Sequence, residues 1–265
     1  AVNRQVEALF QRDSAVEKGL EKESRSAYLQ SSYIDKWAGF PLYQNTQTKY
    51  YSCGEEMFPD MLEALRGAKH FIFLEYFIIE EGYMFNTILD ILEEKAKAGV
   101  DVRFIYDDVG SINSISFGYY KKLQERGIPC VTFNPFKPLI SVVMNNRDHR
   151  KIFVVDGYIG FTGGINLADE YINKVKRFGY WKDTGVRIEG EAVWSLTAMF
   201  LEMWNYINRS TEDYSRFLPS VYREKEFTSD GFVQPYGDSP LDNENVGENI
   251  CLLYRSPSPR DKSQS

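Results

Sequence analysis

Two histidines make up the whole imidazole complement of the chain, and one of them keeps company suited to chemistry. His149 lies in the run Asn-Asn-Arg-Asp-His-Arg-Lys-Ile-Phe-Val-Val-Asp-Gly (145–157), which places His149, Lys151 and Asp156 in the spacing H-x-K-x4-D. Gly163, Gly164 and Asn166 follow shortly after. In a strand, residues two apart project to the same face, so His149 and Lys151 point together. An imidazole beside a fixed ammonium suits attack on a phosphodiester: the ring nitrogen bonds phosphorus while the cation neutralises the non-bridging oxygens. The Asn166 amide can donate to the same oxygens, and the two glycines allow backbone to approach a phosphate closely. Asp156 has a blander reading, because Asp-Gly between two β-rich runs is a strong hairpin signal.

Other residues are weaker candidates. Arg147 and Arg150 flank His149 and, with Lys151, form an island of positive charge that suits an anionic headgroup. A solvated charge run is the competing reading for Arg150. Glu75 interrupts an otherwise apolar strand, which is costly unless the carboxylate is paired or functional. Asp107 and Asp108 end a strand, where sites of α/β folds gather and where turn chemistry also places aspartates. His70 reads as structural.

The elements that must position these residues alternate in type. Spacing predicts helices over 56–68, 84–98, 117–126 and 191–208, and strands over 70–78, 101–107, 129–133 and 183–189, with a hairpin across 151–162. Strands separated by helical stretches of this kind argue an α/β sandwich, a mixed sheet with helices on both faces and the H-x-K-x4-D residues at its edge. An open, aromatic-lined half-cleft is expected around His149. Residues 1–38 read as a mostly exposed helical linker, 39–210 as the main domain, 211–250 as a looser connection, and 251–265 as a disordered or substituted tail.

Composition bounds the function. Lys+Arg 31 against Asp+Glu 38 leaves a net charge of −7, which argues against a general nucleic-acid binder. Cys53, Cys130 and Cys251 are odd in number and far apart, and read as reduced thiols. The longest apolar stretch, residues 71–79, contains Glu75 and falls far short of a membrane span. The chain begins with Ala1, not Met, and a piece of a longer protein is expected.

With these residues in view, the sequence resembles the phospholipase D superfamily, whose hallmark is this HKD motif, and within it the bacterial cardiolipin synthases. The likeness is carried by Leu-Glu-Tyr-Phe (74–77), Tyr-Asp-Asp-Val-Gly-Ser (106–111), Asn-Arg-Asp-His-Arg-Lys-Ile (146–152), Gly-Gly-Ile-Asn-Leu-Ala-Asp-Glu-Tyr (163–171), Trp-Lys-Asp-Thr (181–184) and Val-Gln-Pro-Tyr-Gly-Asp-Ser-Pro (233–240). It implies a phospholipase D-like α/β/α sandwich and a two-step reaction without metal or cofactor. His149 attacks one phosphatidylglycerol, releasing glycerol and leaving a phosphohistidine, and a second phosphatidylglycerol takes the phosphatidyl group to give cardiolipin. Lys151 and Asn166 hold the phosphate, and Asp156 supports the site's architecture. Asp183 is the positional match for the family's acidic residue that orients the opposing histidine; an ordinary strand-start aspartate is the alternative.

The resemblance further implies anionic membrane lipid as partner, no nucleic acid, and a place on the cytoplasmic face of the bacterial cell membrane through an anchor this chain lacks. It also implies two HKD motifs per site, of which this chain has one. Three readings therefore stand: the amino-terminal half of a cardiolipin synthase; a single-motif phosphodiesterase or nuclease acting as a homodimer; and a truncated remnant without catalysis.

Overall fold

The computed structural model describes residues 4–135, 147–177, 179–223, 226–229, 231–238 and 246–255, without the side chains of 252–255. In chain order its elements are α1 (Arg4–Glu7), α2 (Ser14–Glu23), α3 (Arg25–Ala38), β1 (Thr46–Tyr51), α4 (Gly54–Gly67), β2 (Phe71–Tyr76), α5 (Tyr83–Lys97) and β3 (Asp101–Asp107). There follow α6 (Tyr119–Glu125), β4 (Cys130–Phe133), β5 (Ile152–Val155), β6 (Ile159–Gly163), β7 (Gly185–Gly190), α7 (Val193–Asn208), α8 (Pro219–Tyr222) and α9 (Val246–Arg255). Two compact units result: one from residues 45–228, the other from 1–44 with 229–265.

The larger unit is a mixed seven-stranded sheet in the order β1-β7-β6-β5-β2-β3-β4. Strands β2, β3 and β4 pair in parallel; β5 pairs antiparallel to β2, β6 to β5, β7 to β6 and β1 to β7. These directions bring one set of chain ends to the same border of the sheet. There β2, β3 and β6 finish while β5 and β7 begin, so residues far apart in sequence meet. The HKD strand β5 is the central strand of the seven and not an edge strand. His149 stands at the sheet's end, which corrects the expectation of an edge position.

Continuous apolar runs form the central strands because both faces are covered. All six residues of β2 are buried, and a strand that is apolar apart from Glu75 fits a doubly covered sheet. On one face Ile72, Leu74, Phe153, Val155 and Phe161 pack with Met61, Leu65, Ile88 and Leu92 of α4 and α5. On the other, Phe73 stacks on Phe200 of α7 with ring centroids 4.6 Å apart. A fully buried phenylalanine such as Phe73 contributes about 1.5–3 kcal/mol by apolar burial, and its truncation to Ala costs about 3–5 kcal/mol.

The β5–β6 hairpin turns on Asp156 and Gly157, with φ of 50° and 72°. Both central residues lie in the left-handed region, the geometry that Asp-Gly adopts most readily. The Asp156 main-chain N–H donates to Phe71 O (2.9 Å), tying the turn to the start of β2.

In the smaller unit, α2 and α3 are capped by side chains. Asp13 accepts from Ala15 N and Ser24 from Ala27 N, as N-caps do. Asn249 of α9 donates to the Tyr33 hydroxyl of α3 (2.8 Å). Helix α9 runs to Arg255, five residues into the stretch expected to be a disordered tail; the rest of that stretch, 256–265, lies outside the described residues. Strand β1 has no counterpart among the expected elements. No helix among the described residues is long and apolar enough to cross a membrane.

Candidate active site

The segment 147–151 enters β5 in extended conformation, so its side chains alternate. His149 and Lys151 share the face of Phe153, while Asp148 and Arg150 share that of Ile152. His149 is exposed and Lys151 is buried. The Lys151 ammonium donates to the His149 carbonyl (2.6 Å) and lies 3.1 Å from its Nδ1. The Phe77 ring, just past the end of β2, packs against the imidazole at 4.6 Å between centroids, and Lys151 Nζ sits 5.5 Å from the centre of that ring.

This packing sets the electrostatics. Burial lowers the Lys151 pKa to about 8, opposed by the charges of Asp148 and Asp183. Partial loss of water and the Lys151 cation hold His149 below its ordinary value, against Asp148, Asp107 and Asp183. Near neutral pH the pair is therefore a neutral imidazole beside an ammonium. A neutral imidazole has a free lone pair, and the ammonium can meet an anion.

The remaining candidates divide. Asp183 joins the pair electrostatically, and its Oδ1 accepts from Thr184 N (2.9 Å) at the entrance to β7. It also explains Gly164, where an added Cβ would run into the Asp183 carboxylate. Neighbouring Gly163 has φ 145° and faces Thr184 O too closely for a Cβ. Asn166 is buried: its Oδ1 accepts from Ile78 N (3.0 Å) and its Nδ2 donates to the Tyr171 hydroxyl (2.9 Å). It fastens the loop after β6 to the chain leaving β2, alongside Leu167 N to Ile78 O (3.1 Å).

Asp156, counted with the catalytic motif, lies at the other end of β5. Its carboxylate accepts from Lys69 N (2.9 Å), His70 N (2.7 Å) and Phe71 N (2.9 Å). Those three donors make it an architectural anchor that does not join His149 and Lys151.

Arg147, Arg150 and Glu75, read as substrate-binding, point into internal contacts. Arg147 donates to Asp107 Oδ1 (3.3 Å) and Asn134 O (3.1 Å). Arg150 Nε lies 2.7 Å from Glu75 Oε1 and 3.0 Å from Asp148 Oδ1. Glu75 is fully buried, without direct exposure to an incoming headgroup. The expected island of positive charge is thus reduced to Lys151, because each flanking arginine meets carboxylates on the sheet.

Sequence reasoning passed over Phe77, Asp148 and Tyr171. Phe77 lies within the apolar run that reads simply as strand, and only the end of β2 at Tyr76 releases its ring toward His149. For Asp148 the strand alternation carried a signal, since it shares a parity with Arg150. Among the described residues no cluster of three or more His, Cys, Asp or Glu could hold a metal ion.

With this geometry in hand, comparison with known proteins gives the class. The family described as cardiolipin synthase, phospholipase D-like domain matches residues 61–204, which include His149, Lys151, Asp156, Asn166 and Asp183. The chain belongs to that family. It is 46% identical over 247 residues to an uncharacterized protein of Streptococcus mutans, covering 93% of this chain and 53% of that one. It is 42% identical over 202 residues to a cardiolipin synthase of Alkalihalophilus pseudofirmus, covering 76% of this chain and 39% of the relative. With cardiolipin synthase 1 of Bacillus cereus it shares 38% over 233 residues, 86% of this chain and 45% of the relative. The chain spans about half the length of the curated relatives it matches.

Proposed function

We propose that the chain is one half-site of a cardiolipin synthase-type phosphatidyltransferase, with His149 as its nucleophile. The observation that carries this reading is the pair itself: an exposed imidazole held below its ordinary pKa, 3.1 Å from a buried ammonium.

The chemistry follows from that pair. A phosphatidylglycerol phosphate arriving at His149 draws the Lys151 ammonium from Nδ1 onto its non-bridging oxygens. With the ammonium gone, the imidazole exchanges its proton through solvent, losing it from Nε2 and gaining one on Nδ1; the Nε2 lone pair then attacks phosphorus, the N–P bond forms, the P–O bond to glycerol breaks, and glycerol leaves with a proton from a general acid. The hydroxyl of a second phosphatidylglycerol then attacks, gives up its proton to that same group and breaks the N–P bond, releasing cardiolipin. Asn166, Gly163 and Gly164 shape the loop beside the phosphate, and Asp183 steadies the charge on Lys151. The general acid belongs to a second phospholipase D half. Phospholipid substrate places the reaction on an anionic membrane surface, the cytoplasmic face of a bacterial cell membrane. A homodimeric phosphodiesterase, in which a second copy supplies the other H-x-K-x4-D motif, is the second reading.

An aryl phosphodiester tests the assignment without the second half, because an aryloxide leaves without a general acid. The wild-type chain should release a burst of one aryl alcohol per molecule and retain an alkali-stable N–P adduct on His149, seen by mass spectrometry. Absence of burst and adduct, or an adduct that survives in His149→Asn, refutes the reading. Hydrolysis of the diester without cardiolipin formation, after a complementary half has been added, selects the phosphodiesterase instead.

A further inference from the structure

Beneath His149, on the opposite face of the strand, lies a charge cluster with no direct part in the proposed reaction. Glu75 of β2 is fully buried, and Arg150 Nε reaches both Glu75 Oε1 (2.7 Å) and Asp148 Oδ1 (3.0 Å). Asp148 is 7% exposed, and its main-chain N–H donates to Asp107 Oδ2 (3.0 Å) at the end of β3. Asp107 in turn accepts from Arg147 and from Val109 N and Gly110 N. Both neighbours of His149 are therefore bound to strands on one side of it, Arg150 to the adjacent β2 and Asp148 to β3 beyond, while its own side chain stays exposed.

We infer that Glu75, acting through Arg150 and Asp148, is a positioning residue that fixes the main chain of the nucleophile against Lys151 and Phe77. The inference rests on His149 being the nucleophile. A buried carboxylate in an interior strand is costly to keep, and hydrophobic side chains fill the other five positions of β2. Register explains the choice. Glu75 pairs with Ile152, so its side chain meets the residues just before β5 begins, and Arg150 is the one that points to its face.

The charge state of the cluster is coherent with holding a fixed geometry. Burial and the adjacent Asp148 push the Glu75 carboxyl well above its usual range, against the pull of Arg150. A protonated Glu75 can donate to Asp148, leaving one carboxylate for one guanidinium. The groups facing the cluster are Asp107 and Arg147 from the β3 side and Glu202 of α7, whose charge also acts on Arg150.

The experiment compares Glu75→Leu with Glu75→Gln in the full chain, folding being checked by circular dichroism and thermal melting. Glutamine keeps the shape of a neutral carboxyl and puts an amide N–H in place of its O–H donor; leucine keeps only the volume. Two readouts are followed: the burst rate with the aryl phosphodiester, and the His149 imidazole titration by NMR, assigned in a chain with two histidines by His70→Gln. Loosening by about 1 Å is expected to slow the Glu75→Leu burst about a hundredfold, with little change in the diester concentration giving half-maximal rate. The His149 titration should rise toward 6.5 as the Lys151 and Phe77 contacts relax, and Glu75→Gln should restore both.

A folded Glu75→Leu chain with unchanged burst and titration overturns the inference, as does a Glu75→Gln chain no better than leucine. Failure of the functional reading looks different: the wild type then gives no burst, while the titration shift in Glu75→Leu still reports the clamp. If Glu75→Leu does not fold, Arg150→Lys replaces it. That variant keeps the charge and loses the fork, and the same two readouts decide.

Discussion

At one end of β5, His149 is exposed and the Lys151 ammonium sits between its ring, its carbonyl and the Phe77 face. At the other end Asp156 is buried, with three main-chain N–H groups on its carboxylate. The four residues of the x4 gap are the strand itself, Ile152–Val155. At about 3.3 Å per residue, five steps carry the chain about 17 Å along the strand direction, past both ends of β5. The motif spacing thus records a strand length, with the proposed chemistry at one end and anchorage at the other. A perturbed pair with one exposed member suits a reacting site; a satisfied, buried carboxylate suits a turn.

The comparison breaks most sharply at His149. His149→Asn should abolish the aryl burst, a loss of at least about 10³-fold, because no other side chain of the pair can bond phosphorus. Its thermal midpoint should stay within a few degrees, since exposed substitutions cost about 0.5 kcal/mol or less. A large fall in melting temperature would show that the exposed imidazole is structural after all.

Lys151 is the next test. Lys151→Met should slow the burst by about 10²–10³-fold, the loss typical of one preorganised donor to a developing oxyanion. The pH profile carries the sign. His149 must be neutral, so activity falls on the acid side as pH drops through its lowered pKa, below 6.5. Lys151 must be charged, so activity falls on the alkaline side as pH rises through about 8. Lys151→Arg keeps the cation at every working pH; the alkaline limb should vanish and the acid limb remain. An alkaline limb that persists in Lys151→Arg assigns it to another group.

Asp156→Ala tests the anchored end. Losing a buried carboxylate that accepts three main-chain N–H bonds should cost about 3 kcal/mol, and alanine also tolerates the 50° φ poorly. In a unit of this size that corresponds to roughly 6–12 °C in melting temperature. Below the new midpoint the burst rate per folded molecule should be close to wild type. A burst that collapses while the fold is intact would move Asp156 back into the chemistry.

The same contrast explains what the amino-acid sequence reveals on its own. Strands β2, β3 and β5 are legible because two covered faces demand apolar runs, and the hairpin because Asp156-Gly157 supplies two left-handed residues. Strand β1 is not: Thr46–Tyr51 buries only its two ends and pairs along one side with β7, so neither a run nor a clean alternation marks it. His149 and Lys151 are legible as chemistry because their types and parity agree. The destinations of Arg147 and Arg150 are not, because they depend on β2 lying beside β5 and β3 beside β2, contacts between residues some forty to seventy-five positions apart. A buried glutamate in an apolar strand signals cost, but only register says which arginine answers it.

The smallest effect should come from Phe77, which touches both members of the reacting pair and bonds to neither. Phe77→Leu removes the ring face but keeps apolar bulk. Aromatic contacts of this kind are worth about 0.5–1.5 kcal/mol, so the burst should slow by roughly two- to tenfold. Water returning to the imidazole should raise the His149 titration, while weaker holding of Lys151 works in the same direction by reducing the repulsion from its cation. The two terms add, and a rise in the NMR titration with a modest rate loss is the expected pattern. A rate loss without that rise would mean that Phe77 contacts the substrate, not the pair, and that the reacting end of β5 owes its electrostatics to the sheet alone.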